Sequence, residues 1–273
     1  MQNPLPKLVT FDGEARSGKG TVVGLVKDHL RDNCGYKVML IDLGQIFRVL
    51  VVKLMRDGVD LDIPEQIDAY LSDETNANNC VSYVKKVYHM PKEERKALLY
   101  EQEVGVCSAK VGARPLSQSF KDSLLCKWIQ DARSEGFEVV LLDGRALEEV
   151  GSMLVSEGLC DYRLGFYFIC NPIVSAQRIL GFMPKPYGEL DDETRQSVDE
   201  VVGQIEQRNK SDRERLVQPI VPPSNAPHYA ITEVPDELPP RNPRPMAIID
   251  RSIELPLDVM VAPIARLVEL YAD

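Results

Sequence analysis

Residues 13–21 read GEARSGKGT, from Gly13 to Thr21, and open directly after the run Leu8, Val9, Thr10, Phe11 that ends in Asp12. A short apolar, β-branched run of this kind reads as a buried parallel strand, while Val22, Leu25, Val26 and Leu30 behind the loop recur at helical spacing. Strand, glycine loop and helix in that order form a phosphate-binding loop. Gly13 and Gly18 let the backbone turn so that its N–H groups converge on phosphate oxygens, and the helix N-terminus adds partial positive charge. Lys19 supplies a full charge to the outer phosphates. Arg16, Ser17, Gly20 and Thr21 complete the set of loop residues expected to touch the ligand.

The strict pattern has Ser or Thr directly after the lysine, whereas here Gly20 intervenes before the hydroxyl of Thr21. That GKGT ending resembles the loop of nucleoside monophosphate kinases rather than that of GTPases or motor ATPases. Glu14 adds an acid facing the phosphates, and the guanidinium of Arg16 offsets it.

Outside the loop, the 273 residues suffice for a substantial core, and a single domain with insertions is the economical arrangement. A content of 44% hydrophobic and 27% charged residues is that of an ordinary globular chain, and no apolar stretch approaches a membrane span. The start MQNPLPKLV has neither the basic-then-apolar pattern of an export signal nor an arginine-rich amphipathic character, so the expected location is the cytoplasm; separately, a monomer is the expected state. Six cysteines are scattered without a CxxC pair and the three histidines are remote from one another, a pattern that predicts buried thiols and no structural zinc. A net charge of −10 argues against a nucleic acid polymer as partner. A small phosphorylated ligand needs only a local cluster of cations, and Arg208, Lys210, Arg213 and Arg215 supply one.

Further along, a strand at Tyr36–Asp42 leads into a helix from Gly44 through Ile46, Phe47, Leu50, Val51 and Leu54. Between Gly58 and Arg114 the pattern breaks into short helical pieces, with Pro64 at a first helical turn and Pro91 just before another. A long helix at Ser117–Ser134 precedes the strand Val139–Leu142, which ends at Asp143. Leu164–Cys170 reads as a further strand, and Asn171 with Pro172 caps and opens a helix that stops near Gly181. The turn-rich FMPKPYGELDDE then meets a polar helix, capped by Asp191 or Asp192 and reaching Arg215, as a candidate lid. Eight of the twenty-four residues 222–245 are proline, which predicts an irregular or extended surface loop. A last strand at Met246–Asp250 precedes a helix whose positions 257, 260, 261, 264, 267, 268 and 271 form an apolar stripe, bent at Pro263. Alternating strands and helices indicate a parallel sheet with helices on both faces, which places ligands beyond the carboxyl ends of the strands. Asp12, Asp42 and Asp143 all end strands, so the residues after them are expected to share one crevice with the loop.

Three blocks, FDGEARSGKGT, IDLGQIFRVL and LLDGR, followed by QRNKSDRERLVQPI, resemble the cytidylate kinase (CMP/dCMP kinase) family in order and spacing over most of the chain. The resemblance implies a P-loop NTPase fold, a three-layer α/β/α arrangement around a parallel sheet. It implies one kinase domain: a core at 1–57, 137–181 and 246–273, an acceptor-binding insert at about 58–136, a lid at about 182–216 and the proline-rich loop 222–245. The implied activity is transfer of the ATP γ-phosphoryl group to a nucleoside monophosphate with Mg²⁺. Lys19, Arg145, Arg208 and Arg215 would act on the transferred phosphoryl, and Arg48, Arg145, Arg208 and Asp212 would bind the acceptor. Thr21 and Asp143 would hold the metal, Asp143 through water. The chain departs from the family where its serine, tyrosine and aspartate become Leu43, Phe47 and Ala146, and where a lid arginine becomes Ser211. In the insert, Ala109 and Gln118 align with a serine and an arginine. A site that reads a base through hydrogen bonds loses discrimination when those groups go, so altered base recognition is expected. The same departures leave a second reading open, an ATP-binding regulatory module with a decayed acceptor site. Intact Lys19, Thr21, Arg48, Asp143 and Arg145 favour the enzyme.

Overall fold

A computed structural model describes residues 3–273, the side chain of Gln102 excepted. The chain runs β1 (Lys7–Gly13), α1 (Lys19–Asp32), β2 (Val38–Asp42), α2 (Leu43–Arg56), α3 (Pro64–Ser72), α4 (Glu74–Tyr88), α5 (Lys92–Leu99), α6 (Gln102–Gly112) and α7 (Pro115–Ser134). It continues with β3 (Val139–Asp143), α8 (Leu147–Ser156), β4 (Asp161–Ile169), α9 (Pro172–Ile179), α10 (Asp192–Arg213), β5 (His228–Ala230), β6 (Met246–Asp250) and α11 (Leu257–Ala272). Two compact units result, Met1–Ile41 with Ala132–Asp273, and Asp42–Asp131. None of the helices is long and apolar enough to cross a membrane among the described residues.

The first unit is built on an all-parallel six-stranded sheet of order β2-β3-β1-β4-β6-β5, flanked by helices on both sides. β1 is central because almost nothing in it tolerates water: Leu8, Val9, Thr10 and Phe11 are fully buried. Such uninterrupted burial is what a parallel strand covered on both faces requires. Phe11 packs at a tilt on Phe166, with ring centroids 5.3 Å apart, and stacks at 6.2 Å on Phe168, two aromatic residues that β4 sends to the same face. On that face the apolar stripe of α1 (Val22, Val23, Val26, Leu30) packs with Met260, Ile264, Leu267 and Val268 of α11. On α8, a Cβ at Gly151 would fall 2.2 Å from Cε1 of Tyr162, so only glycine lets this helix lie so close to β4.

Two details differ from the sequence reading. The stripe of α11 closes with Ala265 and Ala272, while Leu257 is 52% exposed at the first turn, where the helix has not yet reached the core. The helix continues through Pro263. The proline-rich run is not wholly irregular: β5 pairs with β6 as the edge strand, where missing N–H groups cost least, and Ile231, Val234 and Leu238 are buried in the core.

The second unit is helical. Asp42 and Asp73 cap α2 and α4, accepting from Gln45 N at 3.2 Å and Asn76 N at 2.9 Å, as short acidic side chains do at helix starts. Tyr88 donates to the Asp42 carbonyl at 2.7 Å and meets Trp128 edge-on at 4.9 Å, and Arg114 is ion-paired with Asp68.

Candidate active site

The glycine loop occupies the carboxyl end of β1, where a parallel sheet presents its ligand-binding edge. Gly13 has φ +145°, and a Cβ there would lie 2.2 Å from the Phe168 carbonyl oxygen, which accepts the Glu14 N–H at 2.9 Å. Gly18 caps α1 in the left-handed region with φ +79°, and a Cβ there would strike the guanidinium of Arg251. That guanidinium is buried and donates to the Gly18 carbonyl at 2.7 Å, bracing the loop from the β6 side. No side chain caps the α1 N-terminus and its first turn carries no acid, so its opening N–H groups suit an anion. Ser17 is buried, and its hydroxyl has no hydrogen-bond partner among the described residues. Arg16 is exposed at φ +60°. Uncapped donors and an unused buried hydroxyl together fit a bound phosphate chain.

Lys19 is ion-paired with Asp143 at the end of β3 and donates to the Gly144 carbonyl at 3.0 Å. The other Asp143 oxygen would lie 3.7 Å from a Cβ on Gly20, so the extra glycine of GKGT keeps room for that carboxylate beside the loop. Thr21 is exposed at the start of α1. A hydroxyl and a carboxylate offer hard oxygen ligands, the chemistry Mg²⁺ takes while keeping several of its waters.

Behind this pair lies a carboxylate that sequence reasoning treated only as a strand end. Asp12 is 5% exposed, and its oxygens accept from Gly13 N at 2.6 Å and from Leu147 N at 2.7 Å. It thereby clamps the Asp143–Ala146 turn onto the loop. Burial pushes its pKa up to about 6, against the lowering effect of those N–H groups and of Lys19.

The cations gather on α10. Asp212, 2% exposed, is ion-paired with both Arg145 and Arg215, and Arg208 Nε lies 4.0 Å from it. Burial, with Arg208 and Arg215 beside it, holds Arg145 below the ordinary guanidinium range, and burial lowers Arg215 likewise. Two contacts that the sequence did not single out dock α10 on the loop. Asn209 accepts from Ala15 N at 2.8 Å, and Arg213 lies 3.5 Å from Glu14. Glu14 therefore has its offsetting cation in Arg213. The spacing of Asn209, one residue after Arg208 and three before Asp212 on a helix, was available in the sequence; the loop contact was not.

In the second unit Arg48 donates to the Leu99 carbonyl at 2.8 Å and sits 4.7 Å over the Tyr100 ring. Phe47 packs against Gly112, whose carbonyl accepts from the buried Gln118 amide. The Gln118 Oε1 has no partner among the described residues. Leu43 is buried.

A central phosphate-binding loop on a parallel sheet, with Lys19 and Asp143 at its mouth, defines an α/β P-loop kinase fold. No family model matches the chain. It is similar to the cytidylate kinase of Shewanella halifaxensis, 28% identical over 223 residues that cover 80% of this chain and 85% of that protein. The cytidylate kinase of Shewanella pealeana is 27% identical over the same shares, and that of Bartonella quintana 26% over 81% of this chain and 85% of that protein. These similarities support a distant, cytidylate kinase-like family and a kinase role in general.

Proposed function

We propose that the protein transfers the γ-phosphoryl group of ATP to a nucleoside monophosphate and reads the acceptor base weakly. The observation that carries this reading is the gathering of Arg145, Arg208 and Arg215 on Asp212, on a helix that Asn209 fastens to the phosphate loop. Phosphoryl transfer is catalysed by alignment and by neutralising charge on the transferred oxygens, so three guanidiniums held in place beforehand act where charge builds up. The loop N–H groups and Lys19 hold the donor phosphates. Thr21, and Asp143 through water, would hold Mg²⁺, which would supply charge neutralisation to the phosphates. Arg48 grips the acceptor phosphate, and no covalent intermediate is needed. Leu43, Phe47 and Ala146 offer no hydrogen bond to a base through their side chains, which supports broad acceptor use. The expected setting is cytoplasmic, with the chain acting as a monomer on small nucleotides.

A regulatory ATP-binding module is the second reading, favoured by Ser211 and the apolar Leu43 and Ala146. A coupled ADP-release assay over ribo- and deoxyribonucleoside monophosphates separates the two. Turnover of several monophosphates within about tenfold of one another supports the proposal. ATP binding with no acceptor-dependent ADP release favours the module, and CMP turnover far above UMP, AMP and GMP contradicts weak base reading.

A further inference from the structure

At the opposite end of α1 from the loop, His29, Cys34 and Glu269 converge. One ligand atom from each, an imidazole nitrogen, the Cys34 sulfur and a Glu269 carboxylate oxygen, lie within 4.8 Å of one another. The spacing follows from the chain turn. His29 stands in the last turn of α1, Asn33 N donates back to the His29 carbonyl at 2.9 Å, and Tyr36 N returns to Leu30 O at 3.1 Å. Cys34 is thereby folded beneath the helix end, partly buried against the core, while Glu269 comes from the last turns of α11.

We infer that His29, Cys34 and Glu269 form a binding site for a borderline-soft divalent cation of the zinc class, which ties the end of α1 to the end of α11. The donor set of imidazole, thiolate and carboxylate is the mixture zinc takes, and three protein ligands leave one position for water. Bond lengths of about 2.0–2.3 Å place two ligands of one tetrahedral zinc about 3.3–3.8 Å apart. His29 Nε2 and Glu269 Oε2 are 3.5 Å apart, a separation that matches two ligands of one ion and is long for a hydrogen bond. Drawing in the Cys34 sulfur takes a shift of about 1 Å, well within rotamer adjustment at a helix end. Ten residues of helix separate His29 from Lys19, about 15 Å of rise, so the ion is a staple rather than a participant in phosphoryl transfer. Scattered cysteines and histidines hid this set, because its third member lies 235 residues further along the chain.

The test uses the full chain, stripped with a chelator and free of nucleotide, with metal alone. Zinc taken up one to one against a chromophoric competitor, a thiolate-to-cobalt charge-transfer absorption on cobalt substitution, and a melting temperature raised by zinc are expected. Cys34→Ser should abolish the charge-transfer band. His29→Gln and Glu269→Gln should each weaken zinc by more than the ~10–100-fold that an outer-shell partner is worth. Circular dichroism identical to the parent shows that each variant is folded. Absence of the band in the parent protein, or its persistence in Cys34→Ser, overturns the assignment.

Discussion

Arg145, at the turn after β3, and Asp212, in the last turn of α10, form an ion pair buried to 2% exposure on the carboxylate side. The two residues lie 67 positions apart in sequence and join the two phosphate-handling blocks of the chain. Replacing Asp212 by Asn would leave the guanidiniums of Arg145 and Arg215 buried against a neutral amide. Breaking such a pair from one side costs ~3–5 kcal/mol, because the remaining charge keeps its desolvation penalty. The expected outcome in urea unfolding is a loss of that order, partly recovered by saturating a bisubstrate analogue whose phosphates replace the missing charge. A variant as stable as the parent would show that Asp212 does not organise the cluster.

Lys19→Ala should weaken ATP by ~1.5–3 kcal/mol, because a charge-assisted contact is lost that backbone N–H groups cannot replace. The same change leaves Asp143 without its ion-pair partner, so the added negative charge works in the same direction. Isothermal calorimetry with Mg²⁺-ATP gives the answer directly, and an unchanged affinity would remove the loop assignment.

Asp12 predicts a pH dependence. Its pKa is raised from 3.8 to about 6 on folding, so the folded state holds the proton more tightly than the unfolded chain. Its contribution to stability is therefore fully present below about pH 4 and is lost as pH rises through about 6, an effect on the order of 3 kcal/mol. Asp12→Asn lacks this term but also loses one acceptor for the Gly13 and Leu147 N–H groups. The stability difference should consequently move in favour of the variant by a few kcal/mol between pH 4 and pH 7. Parallel stability curves for the two proteins over that range would show that Asp12 is ionised throughout in the folded state.

The elements most legible in sequence were those dictated by local chemistry. The loop declared itself through Gly13, Gly18 and Lys19, and α10 through its Asp191 cap, which accepts from Thr194 N at 2.8 Å. β1, β3 and β6 could be read from apolar runs because both faces are covered. α4 and α6 appeared only as part of an ill-defined helical stretch, since their apolar positions are sparse among Asn, Lys and Gly. β5 was hidden because three residues among prolines carry no periodicity, and only its pairing with Ile248–Asp250 makes it a strand. Asn209 and Arg251 were invisible as site residues for a different reason. Each acts through a contact to a loop backbone about 200 positions away, and no local pattern encodes such a pairing.

Gly13→Ala tests the closeness of β1 and β4. A Cβ would overlap the Phe168 carbonyl, and a φ of +145° is strained for any L side chain, so the cost should reach at least ~1–3 kcal/mol. Gly188→Ala, where a Cβ meets nothing within 4 Å, is the matched control and should change stability by less than ~0.5 kcal/mol. Equal melting temperatures for the two variants would contradict the approach seen here.

The lid expectation can be made sharper by the way α10 is held. Leu190, just before α10, and Val198 and Ile205 along it pack with Ala176 of α9, so α10 shares an apolar cluster with that helix as far as Ile205. The last turns are tied instead by polar contacts, Asn209 to Ala15 N and Arg213 to Glu14, and crowd cations around Asp212. Polar, charge-rich contacts open at lower cost than apolar packing, and repulsion among the guanidiniums is relieved by ligand phosphates. A bisubstrate analogue should therefore slow hydrogen exchange across the 182–216 segment, most strongly in residues 206–215. The 222–245 run, anchored through Ile231, Val234 and Leu238, should change little. Identical exchange in 206–215 with and without the analogue would mean that the segment does not close over the phosphates, and that role would have to be withdrawn.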